Sequence, residues 1–120
     1  MKALLAAEAR RLANTVMWSL DGWRSAWATE KSLRQWTAVN LINVILAFAL
    51  PLTPGERAVV LALGLLVLAA ELMNTALEEV VDYLSRDQDP RAKRAKDCGS
   101  AAVALTALAG GVAWLVILVG

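Results

Sequence analysis

Between Ala58 and Ala70 the chain carries no charge, and then Glu71, Asn74, Glu78 and Asp82 follow. This apolar stretch should cross a membrane as a helix, and the acids must then be placed on it. At about 100° per residue, positions 71, 74, 78 and 82 fall on one stripe, while Glu79 points roughly 80° away. A charge inside a spanning helix is costly unless it faces protein or water, so the stripe reads as a functional site. The alternative is a structural ion pair.

Composition agrees with a membrane protein. A chain of 120 residues is one domain, 1–120, and a content of 58% hydrophobic residues with five Trp and one Phe is not that of a soluble protein. The net charge of +1 says little, but its distribution is informative. Lys2, Arg10, Arg11, Arg24, Lys31 and Arg34 precede the first span, and Arg86, Arg91, Lys93, Arg94 and Lys96 lie between the second and third. Arg57 alone sits between spans one and two. The positive-inside rule puts the N-terminus and the 85–97 loop in the cytoplasm, with the 51–57 turn and Gly120 outside. The N-terminus shows no signal-peptide pattern, because Glu8 and Arg10-Arg11 cut short any apolar region after Lys2. One Cys, Cys98, excludes an internal disulfide and Cys-based clusters; it reads as a small packing residue. The absence of His excludes imidazole base catalysis, phosphohistidine and the usual zinc sites.

Along the chain, Leu5, Ala9, Leu12, Val16, Leu20, Trp23 and Trp27 recur every three or four residues over 3–30. That stripe, with Trp and basic residues beside it, predicts an amphipathic helix on the cytoplasmic membrane surface; the alternative is a soluble helix docked on protein. Span one is expected over about 36–52, roughly 25 Å long, with Asn40 and Asn43 bonding to neighbouring helices. Span two is expected over about 56–84. Glu71 then lies roughly 20 Å in from the outer face, with Glu78 and Asp82 progressively nearer the cytoplasm, like the wall of a cleft open to that side. Asp89-Pro90 reads as a turn in the polar loop, and span three is expected over about 97–119. Its small residues, Gly99 to Ala102, Ala104, Ala107, Gly110 and Gly111, permit close helix approach and place it at the centre of an assembly. Shielding the polar stripe is easier if several copies associate, so a homo-oligomer is expected.

Glu71, the deepest acid, suits a group that takes a proton from a substrate hydroxyl. Glu78, nearer the surface, suits a divalent cation, and Glu30 at the end of the surface helix could supply a second carboxylate. Lys96 could hold phosphate oxygens, with Asp97 orienting it or accepting a hydrogen bond from a ligand. Glu30 and Lys96 could equally be solvated charges at helix ends. Neither a dinucleotide fingerprint nor a P-loop is present, and the basic loop is too mixed in sign for nucleic acid.

The segment from Glu71 to Asp82, Glu-Leu-Met-Asn-Thr-Ala-Leu-Glu-Glu-Val-Val-Asp, followed by Ala95-Lys-Asp-Cys-Gly-Ser-Ala-Ala-Val103, resembles the small integral-membrane diacylglycerol kinases of bacteria. Trp23-Arg-Ser-Ala-Trp-Ala-Thr-Glu30 and Arg34-Gln35 extend the likeness, which covers roughly residues 15–118. The resemblance implies an all-α homotrimer in the bacterial inner membrane, with one amphipathic surface helix and three spanning helices per chain and active sites shared between subunits. It implies Glu71 as general base, Asn74 at the lipid hydroxyl, Glu30 and Glu78 as Mg²⁺ ligands for ATP, Lys96 on ATP phosphates and Asp97 at the nucleotide. The reaction implied makes phosphatidic acid from diacylglycerol and MgATP. Departures from the pattern are Trp18 where Tyr is common, Asp21 for Lys, and Trp36 where an acid is frequent.

Three function classes compete. A lipid kinase needs a base at the acceptor hydroxyl, a divalent cation between phosphates and cations on the transferring group, all of which the cytoplasmic side supplies. Undecaprenol phosphorylation is the alternative within that class. A proton-coupled exporter would want its acid near the midplane with access to both faces, whereas here the other acids lie toward one side. A purely structural membrane protein would not need the acidic stripe.

Overall fold

The structure, a computed structural model, describes all residues from Met1 to Gly120. Four helices follow in order: α1 Lys2–Thr29, α2 Lys31–Ala49, α3 Pro54–Leu84 and α4 Pro90–Val119. There is no strand. Residues 1–30 and residues 31–120 form two compact units.

The first unit is α1. Its apolar stripe lies open, with Leu5, Leu12, Val16 and Leu20 all exposed. The Trp23 and Trp27 rings stack at 6.1 Å, one turn apart. Glu8–Arg11 at 2.8 Å and Asp21–Arg24 at 4.0 Å occupy other faces. The helix stops at Glu30, whose backbone turns extended while its N–H still donates to Ala26 O at 2.7 Å.

In the second unit α3 is the middle helix and packs against both α2 and α4. Val60, Gly64, Val67, Glu71, Asn74 and Glu78 alternate spacings of four and three along α3, the repeat of a helix-packing seam. Val60 and Val67 are buried in the N-terminal half of α3. On this seam Asn43 of α2 donates to Val60 O at 2.9 Å and accepts from Trp114 Nε1 of α4 at 2.8 Å. Asn40 accepts from Asn43 at 3.2 Å. Gly64 makes this possible: a Cβ there would overlap Asn40 Oδ1 and lie 2.6 Å from Asn43 Nδ2. The sequence expectation that these amides bond to neighbouring helices therefore holds for Asn43.

The turns follow local chemistry. Thr53 and Glu56 form a capping box, with Pro54 in the first turn of α3. Arg57 lies inside α3, where it reaches back to Ala47 O at 2.7 Å and Leu52 O at 3.3 Å and covers the Phe48 ring. Arg57 thus satisfies the Ala47 carbonyl left open in the last turn of α2 and the Leu52 carbonyl of the connection that follows.

Two helices start earlier than hydropathy suggests. α2 begins at Lys31 and α4 at Pro90, because polar first turns are helical too. Asp89-Pro90 is a helix start rather than a free turn. Asp89 accepts from Arg91 N at 2.7 Å as the N-cap, and Pro90 follows in the first turn, where its missing N–H is no loss. α3 and α4 are each long and apolar enough to cross a membrane. With 31 residues, α3 reaches roughly 46 Å, beyond a hydrocarbon core of about 30 Å. α2 is not among the helices that meet this criterion, since Arg34, Gln35, Asn40 and Asn43 lower its apolar content. Ile45, Phe48, Leu65, Leu66, Leu105, Leu108 and Leu115 nonetheless face outward, as in a protein whose surroundings are apolar.

Candidate active site

The C-terminal half of the α3 seam is polar. Glu71 is 3% exposed and is the one buried charged residue of the chain. Asn74 and Glu78 are half-buried and Asp82 is exposed, so burial falls along the stripe from Glu71 outward.

Glu71 Oε1 accepts a hydrogen bond from Ser32 Oγ, in the first turn of α2. On the next turns Asn74 Nδ2 faces Glu78 Oε1 at 3.4 Å, a long contact. Asn74 Oδ1 is buried and has no hydrogen-bond partner. It lies against Gly99 of α4, where a Cβ would overlap it. Gly99 is buried and needed for this approach.

Nearer the end of α3, Lys96 Nζ bonds Asp82 Oδ1 at 2.6 Å, bridging α4 to α3. Asp97 is held within α4 by Lys93 at 2.5 Å. The hydrogen bond from Lys93 to Asp97, and then the carboxylate's charge, hold that ammonium above the usual lysine pKa. Arg91 likewise holds the Asp89 carboxyl below its ordinary value, chiefly through the side-chain hydrogen bond. Between the end of α3 and the start of α4 a cleft of about 560 Å³ opens, with Asp82, Arg86, Lys93 and Lys96 on its wall.

Of the residues singled out from sequence, Glu71, Asn74 and Glu78 are brought onto one seam, and Lys96 joins it through Asp82. Asp97 turns to Lys93 instead, and Glu30 closes the first unit, half-buried at the end of α1. Sequence reasoning missed Ser32 beside Glu71 and Lys93 beside Asp97. The latter is readable as an i,i+4 pair; the former depends on how α2 meets α3.

Residues 17–118 match the family described as prokaryotic diacylglycerol kinase. That span holds the whole α3 seam and the Lys96–Asp97 turn. The chain belongs to this family. It is 42% identical over 113 residues to a diacylglycerol kinase of Pseudomonas aeruginosa, an alignment covering 92% of this chain and 90% of the relative. Diacylglycerol kinases of Haemophilus influenzae and Escherichia coli K12 are 36% and 32% identical, covering 86% and 90% of the chain and 87% and 88% of those proteins. Membership in the prokaryotic diacylglycerol kinase family makes this chain an enzyme, a lipid kinase, and agrees with the resemblance carried by Glu71 to Asp82 and Ala95 to Val103.

Proposed function

We propose that the chain phosphorylates diacylglycerol to phosphatidic acid with MgATP at the cytoplasmic face of the bacterial inner membrane, as a homotrimer. Each subunit would span three times, through α2, α3 and α4, with α1 on the cytoplasmic surface, the N-terminus cytoplasmic and the C-terminus periplasmic. The observation that carries the reading is Glu71: a carboxylate buried in an apolar helix, with Asn74 and Glu78 following toward the charged end. Membership in the family supports it, as does the cleft beyond Glu78, which places Lys96 on its wall.

In this reading the lipid hydroxyl enters beside Glu71 and Asn74. Glu71 takes the hydroxyl proton as the oxygen attacks the terminal phosphorus of ATP, the bond to the bridging oxygen breaks, and ADP leaves. Asn74 orients the hydroxyl. Lys96 leaves Asp82 to meet phosphate oxygens, with Asp97 contributing at the nucleotide. Glu78 and Glu30 would hold Mg²⁺, which supplies charge neutralisation between the phosphates. In the second unit the half-buried Glu78 carboxylate is a hard oxygen donor of the kind such an ion takes. No three acidic, Cys or His side chains converge on one point, but Mg²⁺ commonly uses one or two carboxylates plus substrate phosphates.

The acids of the stripe, Glu71, Glu78 and Asp82, lie toward one end of α3, which favours an enzyme cleft over a proton-coupled exporter. ATP consumption by purified protein in lipid-containing micelles, with no lipid, with diacylglycerol and with undecaprenol, tests the reading. Consumption that depends on diacylglycerol is expected. A preference for undecaprenol would move the substrate within the class, and consumption indifferent to lipid would end the lipid-kinase reading.

A further inference from the structure

Six of the nine helical Ser and Thr hydroxyls bond within their own helix. Thr15, Ser19, Thr29, Thr37, Thr75 and Thr106 each donate to the carbonyl four residues back in their own helix. Ser32 does not. It lies in the first turn of α2, and its hydroxyl donates across to Glu71 of α3. Its partner is the one buried charged group in the chain.

A glutamate has three side-chain torsions, and a base must present one oxygen to the proton it takes. The Ser32 hydroxyl occupies Oε1 and ties the carboxylate to the start of α2, where unpaired backbone N–H groups add positive partial charge. The geometry points to Ser32 as a positioning residue for the phosphoryl-transfer base: it fixes Glu71 Oε1 so that Oε2 receives the proton of the lipid hydroxyl. Ser32 does not touch the reacting atoms; it acts through Glu71. This inference rests on Glu71 being the base.

The test is a double-mutant cycle on purified protein in diacylglycerol micelles. Ser32→Ala keeps a good helix former in the first turn of α2 but leaves a buried carboxylate oxygen without its donor, so the variant folds with a melting temperature in detergent lowered by no more than the loss of one hydrogen bond. We expect its kcat to fall roughly 10- to 100-fold with KM for MgATP unchanged. Ser32→Thr, which keeps a hydroxyl at the same place, regains most of the lost turnover. Adding Ser32→Ala to Glu71→Gln lowers the residual rate no further, because no carboxylate is left to position. If Glu71→Gln collapses and Ser32→Ala turns over normally, the positioning role is wrong and the base assignment stands. If Glu71→Gln turns over normally, the base assignment fails and this inference fails with it. If Ser32→Ala slows Glu71→Gln by the same factor as the parent, Ser32 is a packing residue only and the inference is overturned.

Discussion

Alanine at Gly99 separates positioning from stability in this protein. The new Cβ would overlap Asn74 Oδ1, while the next atom, Leu77 Cδ1, would stand at 3.3 Å. Oδ1 is the far end of a flexible side chain, so α3 and α4 need not part: Asn74 swings aside and Leu77 gives by a few tenths of an ångström. An off-rotamer adjustment costs about 1 kcal/mol, and replacing a helical Gly by Ala returns about as much. Stability should therefore change by less than about 1 kcal/mol. Function should change more, since Asn74 leaves its place beside Glu78, and we expect turnover to fall at least about 10-fold. Gly64→Ala is the counterpart in the N-terminal half of α3. There both Asn40 and Asn43 must move, and Asn43 loses its bonds to Val60 and Trp114. At about 1 kcal/mol per bond this outweighs the helix gain, so the variant should be the less stable of the two while keeping turnover per folded molecule. Thermal unfolding in detergent and diacylglycerol-dependent ADP release, normalised to folded protein, read both quantities. Full turnover in Gly99→Ala would refute the role given to Asn74, and an active-site defect in Gly64→Ala at normal stability would refute the division of the seam.

Three further outcomes are expected. Glu78→Gln and Glu30→Gln should each raise the Mg²⁺ needed for half-maximal turnover sharply, and unchanged titrations in both would remove the shared metal site. Asp89→Ala should loosen the start of α4, read as faster amide hydrogen exchange at Ala92 to Arg94 with the rest of α4 unaffected; equal protection would mean that the cap is idle. Mixed oligomers of Glu71→Gln and Lys96→Ala chains should recover part of the activity if base and phosphate ligand come from different subunits, whereas a monomer by light scattering would defeat the assembly.

The parts of the fold legible in the sequence are those written along one helix. Glu71, Asn74, Glu78 and Asp82 share a stripe by periodicity alone, whereas their burial depends on how α3 packs against α2 and α4. The break at Pro51–Thr53 is equally local, with Pro54 and Glu56 completing the cap. Hydropathy misplaced the starts of α2 and α4, because it measures apolar content and the first turns of both helices are polar: Lys31, Ser32 and Arg34 in one, Arg91 to Asp97 in the other. What the sequence could not supply is cross-helix register. Nothing in the spacing of Ser32 and Glu71, or of Asn43 and Trp114, says that they meet, and the pairing of Lys96 with Asp82 depends on how closely Gly99 lets α4 approach α3.

Transfer of the terminal phosphate of labelled ATP to diacylglycerol in mixed micelles, by the parent chain and by Glu71→Gln, tests the central claim most directly. The account predicts labelled phosphatidic acid formed in step with ADP by the parent, and a rate at least roughly 10²-fold lower in the variant with KM for MgATP little changed. Near-normal transfer by Glu71→Gln would contradict it.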